Sequence, residues 1–289
     1  MGSRGAEPLE RLTRWAAQND LIRALVLESS RAVDQAPIDA LSDYDVTLIV
    51  PELRPFFEDD TWLSVLGAPL VIFGDPLPAG DAESAIRMVF YEDHTKVDYI
   101  LCTVQMARQI AADARLPDFL DWGYRALLDK DGVTSGWPAP TRTAFIPRPP
   151  TEREYQALVE EFWWESTYVV KNLWRDELLF AKYNLDSVMR HELLTRLLEW
   201  RVEVDQGWSW KPGVAGRGLK QQLPPDIWAK LEATWRGGTI AAAWDELYAL
   251  VALFRRVARE VGDALGYHYP ERLDERITAY HQSVQRMPH

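Results

Sequence analysis

The sequence predicts an α+β protein: an N-terminal domain built on a mixed β-sheet with flanking helices (residues 1–135), a linker (136–150), and a C-terminal α-helical bundle (151–289). Three observations carry this prediction. Up to about residue 133, short apolar strand patterns alternate with helical ones, as they do when helices cover a sheet. From 133 to 150 the chain is rich in Pro, Thr, Gly and Arg and shows no period, as a connection between domains does. Beyond Pro150 no proline appears until Pro212, and apolar residues recur at helical spacing. At 289 residues, the length accommodates two domains with a core each.

The elements follow in order. Leu9, Leu12, Trp15 and Ala16 mark one face of an amphipathic helix over residues 8–18. An apolar strand, 22–27, runs into Ser29, Ser30 and Arg31, and a loop returns the chain to Asp43. Residues up to Val50 form a second strand, after which Pro51 and Pro55 precede a short helix over 56–66. A brief apolar strand, 69–73, is closed by Gly74-Asp75-Pro76. Residues 85–91 and 96–104 are strand-like and flank a hairpin turn at Glu92-Asp93-His94. A helix is expected over 105–116 and an apolar strand piece over 124–128, closed by Asp129-Lys130-Asp131-Gly132. In the second domain, Thr151 and Glu154 form a capping box. Tyr155, Leu158, Val159 and Phe162 make one helical stripe, and Leu185, Met189, Leu193, Leu197 and Trp200 make another. Later helices are expected near 225–235, 240–265 and 271–285.

Composition narrows the function classes. Hydrophobic residues make up 47% and charged residues 26%, the balance of an ordinary globular chain. The single cysteine, Cys102, rules out an intrachain disulfide and fits a cytoplasmic location. No apolar run is long enough to cross a bilayer, so no membrane association is expected. A net charge of −12 disfavours nucleic acid as a partner and favours a cationic small molecule. The chain is expected to be a monomer.

The chemistry concentrates at the start of the second strand. Asp43 and Asp45 are two apart, so in extended chain both carboxylates project to one face. Two like charges so close call for a shared cation, and paired hard oxygens suit a Mg²⁺ that also holds substrate phosphates. Asp-x-Asp taken alone is also a common turn before a strand. Asp98 is the one acid inside the apolar run of residues 97–101, where a charge is costly unless compensated, and would bring a third carboxylate to the same metals. Hydroxyl, backbone N–H and guanidinium groups at Ser29, Ser30 and Arg31 can hold phosphate oxygens. Lys171 and Arg175, four apart on one helical face, and Lys220, in a Gly-rich stretch without P-loop spacing, are further phosphate candidates. His191-Glu192 is no zinc helix, because the residue four after His191 is Thr195.

The Ser29-Ser30-Arg31 turn and Asp43-Tyr44-Asp45 resemble the signature of the nucleotidyltransferase superfamily, a Gly-Ser turn followed by Asp-x-Asp, and Lys96-Val97-Asp98 lies further along the chain. Together with Arg153-Glu154-Tyr155, Glu161-Phe162-Trp163, Leu179-Phe180-Ala181 and Arg190-His191-Glu192-Leu193-Leu194, they resemble the aminoglycoside 6-adenylyltransferases, which modify streptomycin, over residues 10–280. The resemblance implies a nucleotidyltransferase domain followed by a helical substrate-binding domain. The reaction it implies is transfer of AMP from ATP to the 6-hydroxyl of the streptidine ring, with pyrophosphate leaving. By the same resemblance, Asp43, Asp45 and Asp98 hold two Mg²⁺ ions, and Asp98, or a glutamate of the helical domain, takes the acceptor proton. A bis-guanidinium acceptor calls for carboxylates and aromatic faces, which Glu161, Trp163, Trp164, Glu165, Asp176, Glu177 and Glu192 supply, with Trp163 and Glu177 expected first. One position departs from the family pattern: Ser29 stands where the family turn has glycine, and serine suits a backbone with negative φ. The alternatives are a nucleotidyltransferase with another small acceptor and a non-catalytic ligand-binding homologue. Three gathered carboxylates speak against the latter.

Overall fold

The structure, a computed structural model, describes residues 6–34, 36, 38–76 and 82–288. The chain divides into two compact units, Met1–Phe145 and Ile146–His289. Unit 1 is a six-stranded sheet in the order β3-β4-β5-β2-β1-β6, made of β1 (Ala24–Glu28), β2 (Tyr44–Val50), β3 (Pro69–Gly74), β4 (Ser84–Tyr91), β5 (Lys96–Thr103) and β6 (Tyr124–Asp129). Only β2 and β5 run parallel; the other neighbours are antiparallel.

Period-two alternation gives the sheet two different faces. Tyr44, Val46, Leu48 and Val50 join one core with Leu12 and Ala16 of α1 (Ala6–Gln18), with Phe56 of α2 (Pro55–Glu58), and with Leu63 of a 3₁₀ turn over Thr61–Leu66. The helix expected over 56–66 is thus two pieces, split where the Asp59 side chain accepts from the Thr61 N–H and hydroxyl instead of leaving the backbone to a helix. On the other face Ala24, Val26, Ile49 and Cys102 pack against Ala107 and Ile110 of α3 (Val104–Ala112) and Leu120 of α4 (Asp118–Asp121).

The stretch expected as a linker is packed into unit 1 as far as Ala144. Trp137 is buried, with its indole N–H on the Ala107 carbonyl at 2.9 Å. The Asp121 carboxylate accepts from the N–H groups of Thr141, Thr143 and Ala144. Burial works against its charge, but those bonds and the Thr141 hydroxyl hold its pKa at about 2.

Unit 2 is helical. Its long members are α5 (Glu152–Trp174), α7 (Thr195–Gln206), α10 (Ile240–Leu265) and α11 (Glu271–Gln285), with shorter α6 (Leu178–Lys182), α8 (Leu219–Gln222) and α9 (Pro225–Glu232). The capping box at Thr151 and Glu154 is present in full, so α5 begins where the sequence places it. Both expected stripes are buried in one core. Between α6 and α7, Tyr183–Leu194 is wound as a π-helix.

Candidate active site

The register of the one parallel pair builds the site. β2 and β5 place Asp45 directly beside Asp98, with Tyr44 beside Val97. Asp43 lies one residue before β2 on the face of Asp45, and Lys96 opens β5 on the face of Asp98. Lys96 Nζ is 2.7 Å from Asp43 Oδ2 and 2.9 Å from the Asp98 carboxylate, so one ammonium bridges two carboxylates. In the sequence Lys96 enters only as a neighbour of Asp98. The two-residue rule that pairs Asp43 with Asp45 also pairs Lys96 with Asp98, and that signal was available.

Electrostatics on this face are strained. Burial first, then the Asp98 charge, pushes the Asp45 carboxyl up; the Ser29 hydroxyl pulls it back, Asp43 adds to the rise, and Lys96 opposes it. Beneath them Glu28, at the end of β1, is buried with its carboxylate against the Thr47 hydroxyl. Burial drives its pKa to about 8, with Thr47 lowering it and Asp45 raising it. Sequence reading missed Glu28, although Ala24, Val26 and Glu28 alternate onto the face that carries Asp45.

The turn after β1 is a 3₁₀ turn, Ser29–Ala32. Ser29 has φ of +56°, in the left-handed region, so a serine occupies a conformation that suits glycine. The negative φ that would make serine comfortable is not adopted. Arg31 turns to the other side: Nε donates to the Asp43 carbonyl at 2.9 Å and Nη2 to the Ser42 carbonyl at 2.7 Å, with the guanidinium over the Tyr44 ring. It clamps the returning loop and thereby fixes where Asp43 enters β2.

The donors fit a hard divalent cation. All are carboxylate oxygens, and the buried Asp98 Oδ1 has the Lys96 ammonium at 2.9 Å as its ion-pair partner. No group of three or more His, Cys, Asp or Glu side chains among the described residues is placed to hold a metal ion by itself. Lys96 holds Asp43 and Asp98 to itself, and Mg²⁺ characteristically takes one or two carboxylates and completes its shell with substrate phosphates and water.

In unit 2, Glu161, Glu165 and Glu192 are brought within electrostatic reach. The Glu165 carboxyl is pushed up by burial, pulled down by the Asn184 amide, and pushed up again by Glu161 and Glu192. Trp164 is 62% exposed, with Tyr168 edge-on to it, and Tyr183 is 61% exposed. Trp163, expected at the ligand, is fully buried: its indole N–H donates to the Tyr269 hydroxyl at 3.2 Å, and it packs with Phe162 in the core. Trp163 and Trp164 are adjacent, and a helix that buries one of two neighbours turns the other about 100° away. Glu177 is exposed in the turn between α5 and α6, without a side-chain partner among the described residues. Lys171 Nζ sits over the Tyr168 ring at 4.5 Å, Arg175 caps α5, and Lys220 sits over Trp228 and 3.5 Å from Glu232.

The family model described as streptomycin adenylyltransferase matches residues 4–284. The chain belongs to the streptomycin adenylyltransferase family. It is similar to the aminoglycoside 6-adenylyltransferase of Campylobacter jejuni, 31% identical over 272 residues that cover 92% of this chain and 90% of the relative. It is also similar to the enzyme of the same name from Bacillus subtilis, 31% identical over 93% of this chain and 94% of the relative. The crystal structure of an aminoglycoside 6-adenyltransferase from Bacillus subtilis aligns over 96% of this chain and 97% of its own, with 27% identity and a TM-score of 0.49. As a member of the streptomycin adenylyltransferase family, the protein is a nucleotidyltransferase. No helix among the described residues is long and apolar enough to cross a membrane.

Proposed function

We propose that this nucleotidyltransferase moves AMP from ATP to a hydroxyl of an aminoglycoside, the 6-hydroxyl of the streptidine ring of streptomycin, and releases pyrophosphate. The observation that carries this reading is the pairing of Asp45 with Asp98 across β2 and β5, with Asp43 on the same face. Asp43, Asp45 and Asp98 would hold Mg²⁺, as two ions on the family pattern. When bound, Mg²⁺ would neutralise charge on the triphosphate and on the attacking and leaving oxygens.

The side chains have distinct tasks. Asp98, which shares the Lys96 ammonium with Asp43, accepts the acceptor proton. Lys96 keeps Asp43 and Asp98 in place while their charges are uncompensated by a metal. The Ser29-Ser30 turn offers hydroxyls to phosphate oxygens, and Arg31 acts mainly by holding the loop that delivers Asp43. In unit 2, Lys171, Arg175 and Lys220 are the cationic candidates for phosphate. Glu161, Glu165 and Glu192 match the guanidinium groups of a streptidine ring, and Trp164, not Trp163, offers a face to a cation. Glu177 is available as a further carboxylate.

The test is incubation with ATP, Mg²⁺ and streptomycin, reading pyrophosphate release and a mass gain on the antibiotic equal to AMP. Asp45→Asn is expected to lose roughly 10² or more in rate with its unfolding transition intact. Chelation should abolish transfer and Mg²⁺ restore it. Turnover with a different small acceptor would replace the acceptor assignment only. ATP binding with no turnover on any aminoglycoside would favour a ligand-binding homologue.

A further inference from the structure

Three cationic side chains stand on the strands of the unit 1 sheet: Arg87 on β4, Lys96 on β5 and Arg125 on β6. They do not share a face. Arg87 lies opposite Tyr99 and Arg125 opposite Leu27, and Tyr99 and Leu27 both belong to the core that α1 covers. Lys96 is two residues before Asp98, so of the three it alone points to the carboxylate face. Arg31, on the turn after β1, commits Nε and Nη2 to the Asp43 and Ser42 carbonyls and lies over the Tyr44 ring. Lys96 is held differently. Its Nζ contacts Asp43 at 2.7 Å and Asp98 at 2.9 Å, and no backbone carbonyl among the described residues anchors it. The side chain is 31% exposed and ends a flexible four-carbon stem, so the ammonium can swing without moving β5. The carboxylates it holds are two of the three that the proposed reaction assigns to Mg²⁺.

We propose that Lys96 is an exchangeable cation of the active site, which gives up Asp43 and Asp98 to a divalent metal and moves to the phosphate oxygens of ATP. This rests on the adenylyl-transfer reading given above. Charge selects phosphate as the second partner. Asp43, Asp45 and Asp98 already crowd one face, and a triphosphate adds further negative charge to it, so a released ammonium finds its strongest acceptors in the phosphate oxygens. Place selects it too, because ATP held through a metal on Asp43 and Asp98 comes to the oxygens that Lys96 touches. In the transfer the acceptor oxygen bonds to the α-phosphorus, and the bond from that phosphorus to the bridging oxygen breaks. Its electron pair leaves with pyrophosphate, and the acceptor proton goes to Asp98. An ammonium on the phosphate oxygens offsets the charge that the leaving group gains. The exchange also couples metal to nucleotide. Without ATP, a metal has to displace an ammonium that finds no other anion there; with ATP, the displaced ammonium is paired again.

The experiment is a pair of calorimetric titrations of the full chain, wild type beside Lys96→Met and Lys96→Arg. In the first, Mn²⁺ alone is added as a stand-in for Mg²⁺; in the second, ATP is added at saturating Mg²⁺, with adenosine as the control. Lys96→Met should bind Mn²⁺ roughly threefold or more tightly, because no ammonium has to be displaced. The same variant should bind ATP roughly tenfold or more weakly, with adenosine unchanged. Lys96→Arg, which keeps the charge, should recover part of the ATP affinity and lose the gain for Mn²⁺. A purely structural role for Lys96 would weaken both affinities together. Shifts in the same direction, or a shift in only one of the two, overturn the proposal, as does an equal loss for adenosine. Streptomycin turnover separates this inference from the reading beneath it. Opposite shifts in a protein that adenylylates no aminoglycoside overturn the acceptor assignment and leave Lys96 standing. Normal transfer without the opposite shifts overturns the role of Lys96 alone, and a wild type that binds no ATP overturns both.

Discussion

At the scale of single residues, Ser29 is the telling position. It holds φ of +56° where glycine is unstrained. A non-glycine residue there costs roughly 1–2 kcal/mol, and glycine returns about 0.5–1 of that through its larger unfolded-state entropy. Ser29→Gly is therefore expected to stabilise the protein by about 0.5–1 kcal/mol in chemical denaturation. A loss of stability would mean that the hydroxyl facing Asp45 is worth more than the strain. Glu28 makes a prediction of its own. Its folded pKa of about 8 lies above the ordinary 4.5, so across that window the folded protein holds a proton that the unfolded chain releases. Stability from this group is complete below the window and is lost as pH rises through it. The slope should approach about 1.4 kcal/mol per pH unit within the window, and Glu28→Gln should flatten it in urea unfolding at several pH values. Neither effect could be read from residue type alone, because φ at Ser29 and burial at Glu28 are set by the strands around them.

At the scale of elements, spacing was legible and its consequence was not. Leu185, Met189, Leu193 and Leu197 recur every four residues, a wider repeat than the 3.6 of an α-helix, and Tyr183–Leu194 is wound as a π-helix with i→i+5 bonds. The motif Arg190-His191-Glu192 lies in this stretch and divides its work. Arg190 is buried, bonded to Asp186 and to Thr234, whereas Glu192 is exposed toward Glu165. Hence part of the motif holds the fold and part can meet a ligand. The same division on α5 sets Trp163 against Glu161. Trp163→Ala should cost about 3–5 kcal/mol of stability, measured by denaturation, because it empties a fully buried volume. Glu161→Gln and Glu192→Gln should leave stability within about 0.5 kcal/mol and raise the acceptor KM up to roughly tenfold. A rise in KM from Trp163→Phe with stability kept would reverse this assignment.

At the scale of the whole molecule, acid stability turns on the core of unit 2. His281 is buried; Ser166 Oγ donates to the Trp163 carbonyl and so accepts from His281 Nε2, which leaves Nδ1 without a partner among the described residues. Burial lowers its pKa to about 4, with Asp274 opposing and Arg255 adding to the fall. Between 6.5 and about 4 the unfolded chain takes up a proton that the folded one refuses, so stability falls as pH falls through that window. A urea midpoint that stays level on acidification from neutral pH toward the lower end of the window would contradict this, and His281→Gln should flatten the decline. The sequence by itself determined the α+β class, the strand-turn-strand order around Asp43 and Asp45, the isolated acid at Asp98, and the helical stripes of unit 2. Those follow from the periods of strand and helix, which are local. Only the tertiary structure decided that Asp98 stands beside Asp45 in a parallel ladder, that Lys96 bridges Asp43 and Asp98, that Glu28 lies buried beneath them with its pKa pushed up, and that Trp163 is core while Trp164 is surface. Each of those depends on which strand or helix lies next to which, a pairing of residues distant in the chain that no local period encodes.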